Sequence, residues 1–358
     1  MKLPEIHISK RNAIPLYKAC LIRLAAIVLS LIVCAFVIYA MTKLNPAEVY
    51  KAMFDGSFAT KRKFWVLLQN TAVLLCIALA ITPVFKMKFW NLGAEGQVLI
   101  GALASAALMF YAKDTLPGWL LIVLMLLASL AAGCIWGGVP GYFKARFGTN
   151  ETLFTLMMNY VAIQMVSFSI AVWVPNGSSV LGILNRNTHC GWIPPILGQK
   201  YLFNVLVVGI LTVIMYVYLK YSKQGYEISV VGESENTARY IGIDVKKVIL
   251  RTSCLSGTLA GLAGFILMAG TNHTVSATMA GGNGFTAVLV SWLAKFNPVM
   301  MIFTSMLIVF MQRGSGEIAQ VFRLSSHISS IATGIILFFI IGSEFFINYR
   351  IVVKGADK

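Results

Sequence analysis

Residues 21–42 read LIRLAAIVLSLIVCAFVIYAMT, twenty-two positions interrupted by a single charge, Arg23. A helix needs about 20 predominantly apolar residues to cross the hydrocarbon core of a bilayer, so this stretch predicts a membrane span. The residues before it are basic, and no short cleavable apolar segment follows them, so the span is read as retained. Working outward, comparable apolar runs recur at 64–85, 91–111, 117–140, 151–173, 201–221, 252–271, 277–295, 298–313 and 326–349. They are continuous rather than alternating, which excludes a membrane β-barrel. Composition points the same way: 58% hydrophobic, 12% charged and a mean hydropathy of +0.79 exclude a soluble enzyme, a disordered chain and a disulfide scaffold. The predicted fold class is all-α: a polytopic membrane protein of about ten transmembrane helices, with residues 1–358 forming one membrane domain.

The chain carries 29 Lys and Arg against 13 Asp and Glu. With ten spans and residues 1–20 inside, nineteen of the 29 fall on the cytoplasmic side, concentrated in 222–251 and at the two ends. Both termini are therefore expected in the cytoplasm. The cationic excess fits contact with anionic membrane lipid. No basic helix interleaved with aromatics appears, so nucleic acid is not an expected partner. Five basic residues from Lys43 to Lys63 fall outside in this topology, without a reason in the sequence. No C-x-x-C or H-x-x-x-H spacing occurs, and no metal site is expected.

An even number of spans with both ends inside allows two halves of inverted topology, 64–173 and 252–349. Each contains an interrupted segment: Asn91-Leu92-Gly93-Ala94-Glu95-Gly96-Gln97, and Gly281-Gly282-Asn283-Gly284-Phe285-Thr286. Gly-broken apolar segments at corresponding positions of two halves point to a transporter's binding path; glycines also let helices pack closely. The candidate path residues are Asn91, Glu95, Gln97, Asn159, Asn283, Phe285 and Thr286. Two roles are open to Glu95: facing the bundle interior, or capping N–H groups at the start of the helix that follows it. The amides of Gln97 and Asn159 suit either a polar solute or a tie between helices, while Gln164 suits a tie. Thr149-Asn150-Glu151 is a good helix start. His273 and His327 have no partner at metal-ligand spacing and read as structural; Glu344 is expected to pair locally with Arg350.

No G-x-x-x-x-G-K-[ST], G-x-S-x-G or H-E-x-x-H sequence occurs. No cofactor is expected in this chain, and ATP-powered transport would need an ATPase on another chain. The segment 226–243 includes Ser234 or Glu235 as a cap and Gly242 as a terminator for a helix of about two turns. A helix that short is marginal alone and should dock on its own bundle or in a partner's groove.

Several segments resemble the permeases of bacterial ATP-binding cassette importers, in the ribose/xylose and nucleoside branch. Gly232 through Ile243 is similar to that family's Gly-x-Asn-x-x-Ala-Arg-Tyr-x-Gly-Ile coupling segment. Asn91–Gln97, Thr149-Asn150-Glu151 with Thr155–Tyr160, Leu255–Gly264, and Gly284–Ala287 with Asn297-Pro298 also resemble family motifs, in the family's order, from about residue 65 to 345. The Glu-Gly-Gln and Thr-Asn-Glu versions are similar to nucleoside members. The resemblance implies a second permease subunit, identical or related, and cytoplasmic ATPases using ATP and Mg. It further implies an extracellular solute-binding lipoprotein and residence in the bacterial inner membrane. It assigns ATPase coupling to Glu233, Asn236, Ala238, Arg239, Tyr240 and Gly242. Two departures stand out: the bulky Trp292 in a stretch where the family has small residues, with Ala294 where it often has glycine, and Glu233-Ser234-Glu235 where it tends to Asn-Pro. A simple-sugar importer of the same architecture is the first alternative reading. An ion-coupled transporter using Glu95 or Glu344 is the second.

Overall fold

The computed structural model describes residues 6–10, 15–113, 115–174, 181–324 and 326–353. They form thirteen α-helices and one two-stranded ribbon. The helices are α1 (Leu16–Thr42), α2 (Pro46–Phe58), α3 (Lys61–Lys86), α4 (Ala94–Tyr111), α5 (Gly118–Phe147), α6 (Glu151–Trp173) and α7 (Leu202–Tyr221). They continue with α8 (Lys223–Glu233), α9 (Glu235–Tyr240), α10 (Val245–Leu267), α11 (Asn283–Leu293), α12 (Pro298–Val321) and α13 (Ser326–Asn348). A π-helical turn, Met268–Asn272, extends α10, and β1 (Ile6–Lys10) pairs antiparallel with β2 (Tyr349–Val353). Among the described residues, eight helices are long and apolar enough to cross a membrane. The protein is an all-α polytopic membrane protein.

The apolar runs mark these helices but not their ends. The 298–313 run grows into α12, which continues through Gln312, Arg313 and Glu317 to Val321. The 117–140 run continues to Phe147 and stops at Gly148, whose φ of +67° a side chain would disfavour. The 277–295 run is the real departure. Its helix, α11, has 11 residues, about 16 Å at 1.5 Å per residue. That is half a crossing.

The contacts divide the chain into two compact units, residues 1–64 with 310–358, and residues 65–309. In the first, α1 packs along α13, and Arg23 Nε donates to Glu344 Oε1 at 2.9 Å. The expected local partner, Arg350, has a side chain outside the described set. The basic Lys43–Lys63 segment gains a partial account here. Lys63 Nζ meets Glu317 Oε1 at 2.7 Å, and Lys43 lies 5.4 Å from the Tyr39 ring centre, whereas Lys51, Lys61 and Arg62 are exposed.

The second unit is organised around α3, α4 and α10, which are the most enclosed helices. A glycine-serine seam explains how closely α10 approaches α5 and α4. Ser129, Gly133, Gly137 and Gly141 recur every fourth residue on α5, and Ser253, Gly257 and Gly261 do so on α10. A Cβ on Gly257 would sit 2.1 Å from the Gly133 carbonyl oxygen, and one on Gly264 would sit 2.3 Å from the Val98 carbonyl oxygen of α4. Backbone meets backbone, the arrangement membrane helices use when lipid supplies no hydrophobic drive between them. Ser129 Oγ closes the seam by donating to the Gly261 carbonyl at 2.5 Å.

Contacts also sort this unit's loops to two ends. Met87–Phe89, Lys144, Glu151, Ile249 and residues 231–235 line one cleft, at the end of α5 and the start of α10. At the other end, Asn185 donates to Met109 at the end of α4, and Ile193 N–H donates to Ala269 near the end of α10. The segment from His273 to Phe296 runs between these ends. His273 stacks on Trp192, while Ser291 Oγ donates to the Ala78 carbonyl at 3.1 Å and Trp292 lies 5.4 Å from Trp90. This crossing is made by a loop and the short α11 together.

Candidate functional site

The two interrupted segments meet. Glu95, in the first turn of α4, accepts from the Gly282 N–H at Oε1 and from the Gly284 N–H at Oε2, each at 2.8 Å. The carboxylate therefore caps a helix start, but that of α11 in the other proposed half. Charge favours the arrangement, because an anion sits at the positive end of the α11 dipole and also at that of α4. Gly284 is required for the approach: a Cβ there would lie 2.5 Å from the Glu95 nitrogen.

Helix α6 holds the first break from behind. Asn159 Oδ1 accepts from Gly96 N–H and its Nδ2 donates to the Leu92 carbonyl, both at 2.8 Å, while Thr155 Oγ1 accepts from Leu92 N–H at 3.1 Å. Asn91 Oδ1 accepts from Gly93 N–H at 2.9 Å, and its Nδ2 lies 3.4 Å from both Gln97 Oε1 and Ser256 Oγ. Asn91, Gln97 and Asn159 are all buried. Their amides satisfy backbone groups that a broken helix leaves open, as non-helical backbone at membrane depth requires.

The accessible face of the break is different. Trp90, Phe285 and Trp292 are exposed, and Phe85 meets Trp90 edge-on at 5.4 Å. Thr286 Oγ1 turns back to the Gly282 carbonyl at 3.1 Å, and Asn283 is half-buried. So of the seven path candidates, Asn91, Gln97, Asn159 and Glu95 converge through hydrogen bonds, and Asn283, Phe285 and Thr286 sit on the short helix that Glu95 holds. Thr155 and Ser256 join this network without having been singled out for it. Thr155 lies one turn before Asn159 on the same helix face, and that spacing was the available signal.

At the end of the unit where Met87–Phe89 lie, α8 and α9 form a small shelf. Ser222 caps α8, and Ile228 and Val231 are buried under it. Gly232 presses on the end of α3, where a Cβ would be 2.1 Å from the Lys86 carbonyl oxygen. Ser234 caps α9 by accepting from Thr237 N–H at 3.2 Å, and Gly242, at φ +85°, follows its end. Ala238 is fully buried and anchors α9, whereas Tyr240 is 94% exposed and Glu233, Asn236 and Arg239 are also exposed. Among the described residues, Arg239 pairs within the helix, with Glu235 at 3.3 Å. Asp244 starts α10, and the Lys247 backbone N–H and side chain hold its carboxyl below the usual range. Nearby, Lys144 meets Glu151 at 2.8 Å across the α5–α6 turn, and Arg251 meets Glu227 at 3.0 Å.

Known proteins are similar over nearly the whole chain. The guanosine ABC transporter permease protein NupP of Bacillus subtilis is 28% identical over 94% of this chain and 98% of its own length. The nucleoside ABC transporter permease protein NupB of Lactococcus lactis is 26% identical, over 89% of this chain and 90% of its own length. The glucose ABC transporter permease protein TsgB13 of Haloferax volcanii is 26% identical over 99% of this chain and 96% of its own length. Residues 65–341 match the family profile described as branched-chain amino acid transport system / permease component. That span takes in both interrupted segments and the α8–α9 shelf, and the chain belongs to this family of permease components.

Proposed function

We propose that this chain is the membrane subunit of an ATP-binding cassette importer that moves nucleosides across a bacterial inner membrane. The shelf of α8 and α9 receives a cytoplasmic ATPase, which binds ATP and Mg. Both chain ends lie in the cytoplasm, as the Lys and Arg balance favours. A second permease subunit completes the path beside Trp90, Phe285 and Trp292, and a solute-binding lipoprotein delivers the nucleoside at the opposite end.

The observation that carries the coupling role is the contrast within α9: Ala238 is fully buried and Tyr240 is 94% exposed. A six-residue helix anchored on one side and open on the other is suited to transmit a push into α8 and the end of α3. Likeness to guanosine and nucleoside permeases over most of the chain supports the choice of solute. Likeness to a glucose permease keeps the sugar reading as the second one.

The test is uptake of labelled guanosine by cells producing the whole transporter, challenged by uridine, ribose or glucose. Deletion of 233–243 should abolish both uptake and capture of the ATPase. Normal uptake with retained ATPase would overturn the coupling role. Competition by glucose but not uridine would move the solute to sugars.

A further inference from the structure

At the end of the second unit remote from α8 and α9, a cavity of about 600 Å³ opens between the 184–201 loop and the π turn. Its size is within the range of small-molecule sites. The wall is a ladder of rings: His189 to Trp192 at 4.4 Å, then Trp192 to His273 at 3.7 Å with planes 5° apart. Backbone bonds fix the ladder. Leu184 N–H donates to the His273 carbonyl at 2.8 Å, and Trp192 Nε1 donates to the Leu184 carbonyl at 3.0 Å. The rings therefore form a pre-set surface rather than a collapsed cluster.

The polar groups are few and distinctive. Lys200 and Tyr201 line one side, and Gly270 and Thr271 of the π turn line another. Among the described residues, the buried Nδ1 of His273 has no hydrogen-bond partner. Burial pushes that imidazole down to about 4; the Met268 backbone beside it opposes the shift, and Lys200 and His189 add to it. Behind the floor, Asn204 Nδ2 donates to Gln69 Oε1 at 3.0 Å and Gln69 Nε2 donates to Thr271 Oγ1 at 2.5 Å. Asn204 Oδ1, fully buried against Gly270, is also without a partner among the described residues. Buried polar atoms are ordinarily satisfied, and each exception calls for a reason. A π turn, in turn, occurs frequently at functional sites.

We propose that this cavity is a reception site for the planar base of a nucleoside, laid against the His189–Trp192–His273 ladder with its polar edge toward His273 Nδ1 and Lys200. The chemistry favours a base over a sugar. A buried pyranose needs a partner for each of several hydroxyls, and every unmet one is costly. Among the described lining residues, this cavity offers only the polar side chains of His189, Lys200, Tyr201 and His273, because Thr271 and Trp192 Nε1 are already engaged. A base presents two apolar faces to the rings and needs few polar contacts. The inference rests on the nucleoside reading above and adds a site within a single permease chain, separate from the broken helices.

The test is equilibrium binding of labelled guanosine to the full permease in lipid nanodiscs, without ATPase or binding protein, alongside uptake by the complete transporter. Guanosine should bind saturably, and glucose at equal concentration should not compete. Lys200→Gln, a change at an exposed position, and His273→Gln should each weaken binding about fivefold or more. Unchanged affinity in Lys200→Gln and in a folded His273→Gln, or absence of binding by a wild-type chain whose complex imports guanosine, would overturn this site and leave the importer reading standing. Glucose uptake without guanosine uptake would overturn both.

Discussion

Replacing Glu95 by alanine removes two charge-assisted hydrogen bonds that hold the start of α11 to the start of α4, each 2.8 Å long. Such bonds contribute about 1.5–3 kcal/mol apiece. The carboxylate is half-buried and the Gly282 end is exposed, so water replaces part of the loss, and about 2–3 kcal/mol is the expected local destabilisation. Since 1.4 kcal/mol corresponds to a factor of ten, amide hydrogens at 281–290 should exchange roughly 30- to 140-fold faster in the variant. Hydrogen–deuterium exchange read by mass spectrometry in nanodiscs measures this directly. Peptides from the α5–α10 seam serve as the internal control and should not change. Glu95→Gln keeps one carbonyl acceptor and should show a smaller increase in the same peptide. Exchange at 281–290 within twofold of wild type in Glu95→Ala would refute the idea that this carboxylate holds the two interrupted segments together.

Three other outcomes are expected. Gly257→Val forces a side chain toward the Gly133 carbonyl and should cost at least about 1–3 kcal/mol, read as a fall in melting temperature of several degrees in detergent; Gly209→Val, with nothing within 4 Å, should change it little. Asn159→Leu leaves Gly96 N–H and the Leu92 carbonyl unsatisfied and should cost about 2–4 kcal/mol, again read as melting temperature. Finally, burial holds His273 near 4 when folded against 6.5 in its reference state, with Lys200 and His189 as the titratable groups facing it. The unfolded chain then binds more protons between those values, so stability falls as pH drops from about 6.5 to 4. From pH 7 to 5 the loss should be about 1 kcal/mol after halving for solvent screening, and His273→Gln should remove that part of the slope in melting temperature against pH.

The spans were legible because lipid imposes a simple rule, a sufficiently long apolar run, and 64–85 and 151–173 land within a few residues of α3 and α6. Helix ends were less legible. A helix continues past its apolar stretch wherever the backbone ladder and a local partner permit, as α12 does through Glu317 and its Lys63 pair. The 277–295 run misled for a related reason. Hydropathy measures depth, and a loop entering the membrane is as apolar as a helix crossing it. Ser234 and Gly242 bound α9 as their chemistry predicts, because caps are local. The Glu95 bond to Gly282 and Gly284 was not legible, since it joins residues 187 and 189 positions apart. The ring ladder was hidden likewise: His273 reads as a lone histidine until the fold sets it on Trp192.

Polar residues at membrane depth invite a reading as solute ligands, and this chain gives a physical reason to separate two uses of them. An interrupted helix exposes N–H and carbonyl groups that hydrocarbon cannot satisfy. Here Asn91, Glu95, Thr155 and Asn159 answer those groups one by one, at 2.8 to 3.1 Å. A donor or acceptor so engaged is not available to a solute while the break keeps its shape. What the break presents outward is aromatic surface: Trp90, Phe285 and Trp292. Aromatic faces stack on one heteroaromatic ring much as on another, because each presents a π-face. Discrimination by hydrogen bonding needs unsatisfied polar atoms, and in this unit a pair of them, His273 Nδ1 and Asn204 Oδ1, lies at the far end beside the ring-lined cavity. The division follows from the backbone itself: an interrupted helix engages the amides that would otherwise be free to read a solute.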